Sequence, residues 1–355
     1  MSAKDFDTPA ETLDPLRIAR AMPKVLLHDH LDGSLRESTL MELMQQRGMR
    51  SPAPDLPSLV RWFDARAHAG SLEEFLRGFA LTVEAMASPA ALERVAFECA
   101  EDAREEGCVL AEFRIAPLLF EPYGVSGDAA VEALLAGLSR SELPSGLIVC
   151  AMRNHGEETV RRSVELALRW RDRGVVAFDL AGPERGWPAT PFAALLQQAR
   201  DGGLGLTLHA GEADSAERVL EAARLGATRI GHGIQLAERI GAPDWPQTLA
   251  WLRERAVHLE ICPTSNVQTG GTASLAAHPI RALWDAGVSL SFHTDNRLMS
   301  RISASSEAAA LVQEAGFGWD ELKAMGEAAA RATFLGESAR RAALAALAGW
   351  TAPTR

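Results

Sequence analysis

Short apolar runs alternate with longer amphipathic stretches along almost the whole chain. The runs are KVLL at 24–27, VLAEFRI at 109–115, LIVCAM at 147–152, VVAFDL at 175–180, LGLTL at 204–208, TRIGH at 228–232, VHLEIC at 257–262 and VSLSF at 288–292. Each is short, rich in aliphatic or β-branched residues, and bounded by Gly, Pro or a polar residue, which predicts a buried strand. The segments between them carry apolar residues at helical spacing, as in Ala90–Glu106, Glu157–Arg173, Ala216–Leu225 and Trp245–Arg255. Eight strands alternating with helices predict an α/β fold with a parallel sheet, and eight strands close a TIM-type (β/α)8 barrel.

Two stretches do not fit the repeat. Leu35 to Gly107 is long enough to hold several helices, one of them around Ser71–Met86, and insertions after a barrel strand commonly cover the mouth of the site. The tail, Trp319–Leu347, is rich in Ala, Arg and Glu and reads as helical. A length of 355 residues allows two domains, but no Gly/Ser- or Pro-rich linker divides the chain. The expectation is one domain over 1–355, with a helical insert at about 35–107 and C-terminal helices at about 319–347.

Composition narrows the function classes. Hydrophobic residues make up 47% of the chain and charged residues 23%, so a large core is available. The net charge of −11, without a basic run, argues against nucleic acid or an anionic membrane as partner. Cys99, Cys108, Cys150 and Cys262 are scattered and form no CxxC pair, which suggests buried free thiols in a reducing cytoplasm. The opening MSAKDFDTPAETLDP has no apolar core and is not expected to act as a signal peptide. No apolar segment is long enough to span a membrane.

The candidate chemistry sits at the strand ends. In LLHDHLDGS, His28 and His30 are two residues apart on a strand and share a face. Run five ends in His209, followed by Ala210, Gly211 and Glu212; run six ends in His232; run eight is followed by His293, Thr294 and Asp295. Five of the nine histidines therefore lie where a barrel gathers its active site. Three imidazoles and a carboxylate suit Zn²⁺ or a similar divalent ion with one position left for water. Such a water ionises near neutral pH; Asp295 and His232 are candidates to orient it, and Glu212 to supply a proton to the leaving side. The fourth run ends Asp179-Leu180-Ala181-Gly182, and the only lysines are Lys4, Lys24 and Lys323. Without a strand-end lysine to bridge two ions, one Zn²⁺ per chain is expected, and a dinuclear lactonase or cyclic amidase is disfavoured.

Taken together, PKVLLHDHLDGSL at 23–35, FLRGFALTVEAM at 75–86, LIVCAMRNH at 147–155, DLAGPE at 179–184, LHAGE at 208–212, RIGHGI at 229–234, EICPTSN at 260–266 and SFHTDN at 291–296 resemble the adenosine deaminase family of the amidohydrolase superfamily. The resemblance implies that His28, His30, His209 and Asp295 bind one Zn²⁺. It implies that His232 and Asp295 orient a hydroxide for attack on C6 of a purine, while Glu212 protonates N1. Substrate contacts are implied for His30, for Asp32 on the ribose 5′-hydroxyl, for Gly182 through its N–H on purine N3, and for Asn296 on N7. Asn296 stands where the animal-type motif has a second Asp; an amide donates to N7 without needing a proton of its own. His155 is a further candidate contact, Phe75 and Phe79 are candidates for the lid pocket, and Arg297 and Met299 for substrate choice.

TDNRLMS resembles a bacterial subgroup of the family. The expected reaction is hydrolytic deamination of adenosine or 2′-deoxyadenosine, a small-molecule purine nucleoside, to the inosine product and ammonia. The alternatives are 6-amino-deoxyfutalosine or adenine as substrate, or a non-catalytic barrel that binds metal or ligand. The presence of Glu212 and every candidate ligand speaks against the last.

Overall fold

The computed structural model describes residues 14–67 and 72–353, and only the backbone for 72–77. Residues 1–13, which carry most of the leader argument, and the side chain of Phe75 lie outside the described residues. Among the described residues, eight strands form one parallel sheet in sequence order. They are β1 (Lys24–His30), β2 (Cys108–Ile115), β3 (Ser145–Met152), β4 (Val175–Ala181), β5 (Gly205–Ala210), β6 (Arg229–His232), β7 (His258–Ile261) and β8 (Leu290–Phe292). Helices follow the strands and surround them, as the alternation predicts. The run VSLSF yields only Leu290–Phe292 as strand.

The sheet closes on itself just beyond β8. Asp29 bridges Asp295 in parallel. The His30 N–H donates to Asp295 O at 2.7 Å, and the Asp295 N–H donates to His28 O at 3.0 Å. The seam of the barrel is thus made by the segments that carry three of the candidate ligands.

The interior below that rim is charged as well as apolar. Glu112, Arg114, Asp179, Arg229 and Glu260 are all buried. Arg114 reaches Asp179 at 2.9 Å and Glu260 at 2.5 Å, and Arg229 reaches Glu260 at 2.5 Å and Glu112 at 2.6 Å. Buried charges persist only when paired and hydrogen-bonded, and each of these is.

The insert folds into helices Glu37–Gln46, Leu56–Ala67, Leu72–Met86 and Pro89–Glu105. The C-terminal tail is not continuous. It divides into Trp319–Ala332 and Glu337–Gly349. The break has a tertiary cause: Thr333 Oγ1, the Phe334 N–H (2.7 Å) and the Leu335 N–H (3.4 Å) donate to Glu112 Oε1. Helical propensity loses there to a buried carboxylate that needs donors. Among the described residues no helix is long and apolar enough to cross a membrane, and all four cysteines are buried and free.

Candidate active site

A cavity of about 490 Å³ opens at the C-terminal end of the barrel strands. Its lining includes His30, Asp32, Phe79, Gly182, His209, Glu212, His232, Asp295 and Asn296. These residues come from the ends of β1, β4, β5 and β6, from the turn after β8, and from the insert.

Nitrogen and oxygen atoms of His28, His30, His209 and Asp295 lie within 4.8 Å of one another. His28 Nε2 and His30 Nε2 are 3.2 and 3.4 Å from Asp295 Oδ1, and His30 Nε2 is 3.2 Å from His209 Nε2. Four ligands held at about 2 Å from an ion in a tetrahedron stand about 3.3 Å apart, so the spacing fits a zinc-sized ion. Burial drives the His28 imidazole down to about 4, aided by the Arg114 charge, and drives His30 well below its ordinary value. Neutral rings of this kind offer lone pairs, which is what a metal takes. His28 Nε2 is buried beside Asp295 Oδ1 at 3.2 Å without a well-aligned hydrogen bond, an arrangement that a cation between them would satisfy.

The rings of the candidate ligands are oriented from behind. The His28 Nδ1–H donates to Glu260 Oε2 at 2.9 Å. The His209 Nδ1 stands 3.0 and 3.1 Å from the two oxygens of Asp179. Arg114 holds both carboxylates. Glu260 stays ionised, far below the usual range: burial opposes this, but the Arg114 and Arg229 charges prevail. Asp179 is likewise held low against its burial by His209 and Arg114. Such carboxylate–histidine pairs fix the ring so that Nε2 faces the ion. Asp295 has its Oδ2 occupied by Ser265 Oγ at 2.6 Å, which leaves Oδ1 to the histidines.

A second group, His28, His232, Cys262 and Asp295, also gathers four possible ligand atoms. It is the poorer fit. Burial pushes the Cys262 thiol far up, so it stays protonated, and His232 Nδ1 is already engaged by Asn266 at 2.9 Å.

His232 Nε2 lies 3.6 Å from Glu212 Oε2. Burial raises the Glu212 carboxyl, although His232 opposes it, so Glu212 is suited to hold a proton. Its loop is held by Glu184, whose carboxylate accepts the N–H groups of Gly211 (2.5 Å), Glu212 (3.1 Å), Ala213 (2.8 Å) and Asp214 (3.0 Å). His232 (φ 62°) and Asp295 (φ 59°) both adopt the left-handed backbone, which costs a non-glycine residue about 1 kcal/mol or more. Both residues line the cavity.

Asp32 is buried, its Oδ1 lacks a partner, and burial raises its carboxyl to about 7. Gly182 has φ 91°, and a Cβ there would meet Met152 and Asn154 at 3.1 Å. Asn296 packs against Gly33 so closely that a Cβ on Gly33 would fall 2.0 Å from Asn296 Oδ1.

Four expected residues stand elsewhere. His155 is exposed and does not line the cavity; it ends the short turn Arg153–His155, and Asn154 lines the wall instead. His293 lies in the barrel interior, where its Nδ1 accepts the Leu27 N–H at 3.1 Å and its Nε2 meets Ser291 Oγ at 2.7 Å. Arg297 pairs with Asp29 behind the ligands and is absent from the lining. Met299 packs under the insert, beside Gly78. Asp179, Glu260, Arg114, Ser265, Asn266 and Glu184 carry the support and were not singled out from sequence; a charged residue inside a short apolar run was the available signal for Arg114, Asp179 and Glu260, while Glu184, Ser265 and Asn266 lie in the turns just after their runs.

The adenosine deaminase family model matches residues 23–350. The chain belongs to the adenosine deaminase family. It is 42% identical over 331 residues to a protein named adenosine deaminase from Mycobacterium bovis (strain BCG / Pasteur 1173P2), covering 89% of each. Its fold matches the adenine deaminase from Arthrobacter aurescens with a TM-score of 0.85 at 23% identity, over 93% of this chain and 99% of that one. It matches the N6-mAMP deaminase from Arabidopsis with a TM-score of 0.81 at 28% identity, over 94% and 100%. As a member of this family the protein is a hydrolytic deaminase.

Proposed function

We propose that the protein deaminates adenosine and 2′-deoxyadenosine hydrolytically, with one Zn²⁺ held by His28, His30, His209 and Asp295. A zinc ion bound there supplies a water acidified to near neutrality. The chain's own groups do the rest. Glu212, whose carboxyl is raised by its burial, donates a proton to N1 of the purine, which makes C6 electrophilic without a build-up of negative charge on the ring. His232 and Asp295 face the same space and orient the attacking water. Addition at C6 gives a tetrahedral carbon; loss of ammonia leaves the 6-oxo purine.

The substrate's other atoms find partners around the wall. Asp32, buried with Oδ1 unpaired, accepts the ribose 5′-hydroxyl. The Gly182 N–H serves N3. Asn296 has its Oδ1 against Gly33, which leaves its NH₂ to donate to N7. The reading is carried by one observation: His28 Nε2 and His30 Nε2 converge on Asp295 Oδ1, with His209 Nε2 3.2 Å from His30 Nε2. The 42% identity to a named adenosine deaminase favours the nucleoside over free adenine. A reducing, cytoplasmic setting suits four free thiols.

A substrate panel tests the reading. Adenosine, 2′-deoxyadenosine, adenine, 6-amino-deoxyfutalosine and AMP are each followed by ammonia release and ultraviolet shift. Adenosine and its deoxy form are expected to turn over fastest; adenosine left unchanged while another member reacts would replace the substrate assigned here.

A further inference from the structure

The proton on His232 is placed by residues that never reach the cavity. The sequence of donors begins at a group with no choice: the Ile280 backbone N–H donates to His278 Nδ1 at 3.0 Å. A ring nitrogen that accepts carries no hydrogen, so the proton of His278 is on Nε2. That Nε2 lies 3.3 Å from Asn266 Oδ1 and donates to it. Asn266 must then turn its NH₂ the other way, toward His232 Nδ1 at 2.9 Å. Turning the amide end for end would ask both nitrogens of His278 to accept, which a neutral imidazole cannot do. Burial lowers His278 to about 3, so it stays neutral. His232 Nδ1 therefore accepts, and its proton sits on Nε2, the atom 3.6 Å from Glu212. Asn266, His278 and His232 are all buried.

We propose that Asn266 and His278 are positioning residues that lock His232 in the Nε2–H tautomer, so that it meets the reacting groups as a hydrogen-bond donor and not as a proton acceptor. This rests on the place given to His232 in the deamination site. With Nε2 protonated, the imidazole has no lone pair to turn into the cavity. With Glu212 giving its proton to N1, the proton released by the attacking water passes to Asp295 and from there to the departing amine, which leaves as ammonia. The lock also explains two polar side chains in a buried helix and turn: Asn266 on Pro263–Gln268, and His278 just before Ile280–Asp285.

The test is ¹⁵N NMR of the zinc-loaded, ¹⁵N-histidine-labelled protein, with His232 assigned by its absence in His232→Gln. The wild type is expected to show His232 with a bare Nδ1 and a protonated Nε2. In Asn266→Asp the carboxylate can only accept, so the His232 proton is expected to move to Nδ1. The wrong tautomer should lower kcat by about 10²-fold or more, with KM changed by less than about threefold and zinc still at about one per chain. A merely structural Asn266 would lower stability and leave the tautomer in place. A wild-type His232 protonated on Nδ1 overturns the proposal, and so does a switched tautomer with full kcat. If Asn266→Asp does not fold, the wild-type spectrum decides alone. The Nε2–H tautomer in a protein that leaves adenosine untouched would support the lock and contradict the reaction assigned above.

Discussion

Arg297 forks onto Asp29: its Nε donates to Oδ2 at 2.9 Å and its Nη2 to Oδ1 at 3.2 Å. Asp29 stands between His28 and His30, and Arg297 lies two residues past Asp295. The pair, joined by Thr294 Oγ1 on Asp29 Oδ2 at 2.6 Å, ties β1 to the turn after β8 at the seam of the barrel. That seam holds three of the four candidate ligands. Removing one partner leaves a buried charge uncompensated, so Arg297→Met should cost about 3–5 kcal/mol. Asp29→Val with Arg297→Met removes both charges and should recover most of that loss. Urea unfolding of the three proteins at matched zinc checks it; equal stability of the single and double variants would be the wrong result.

The carboxylate behind His209 should matter for metal more than for folding. Asp179→Asn keeps the shape but loses the charge that fixes the ring. Zinc affinity, measured by competition with a chelator, is expected to fall about 10–100-fold. Unchanged affinity would show that Asp179 does not orient His209.

Glu212 offers a cleaner separation. Glu212→Gln should retain zinc and bind nucleoside, while kcat falls by about 10²–10⁴-fold, because an amide cannot give up a proton to N1. Metal content and kcat measured on one preparation check this. Near-normal kcat would take Glu212 out of the chemistry.

A pH effect on stability is expected at a buried acid outside the cavity lining. Burial raises the Glu307 carboxyl from 4.5 to about 7, against hydrogen bonds from the Thr264 N–H (2.8 Å) and Oγ1 (2.6 Å). Its folded value lies above its unfolded value. The neutral form is therefore favoured by folding below about 4.5, and that advantage is lost as pH rises through about 7. Glu307→Gln mimics the neutral acid, so it should match the wild type at pH 4.5 and exceed it by about 3 kcal/mol at pH 8. Denaturation midpoints at the two pH values decide it; a variant less stable than wild type at pH 8 would contradict the sign.

Much of this was legible before any coordinates. Strand ends are marked by Gly and polar residues, and the side-chain alternation of a strand puts His28 and His30 on one face. What stayed hidden has a physical reason. Asp179 and Glu260 sit inside runs that read as apolar strands, and only the barrel interior reveals that Arg114 joins them. Asn266 and His278 are twelve positions apart and meet only through the fold. The tail reads as one helix because its composition cannot show that Glu112 captures Thr333 and Phe334. His155 looks chemical in MRNH, yet the turn faces it outward and leaves Asn154 on the wall.

The most direct measurement is adenosine turnover during titration of metal-depleted protein with zinc. The account predicts no turnover without the ion and a rate that rises linearly to a plateau at about one equivalent per chain. Full turnover in the metal-free protein, a plateau only at about two equivalents, or no turnover at any zinc level would contradict it.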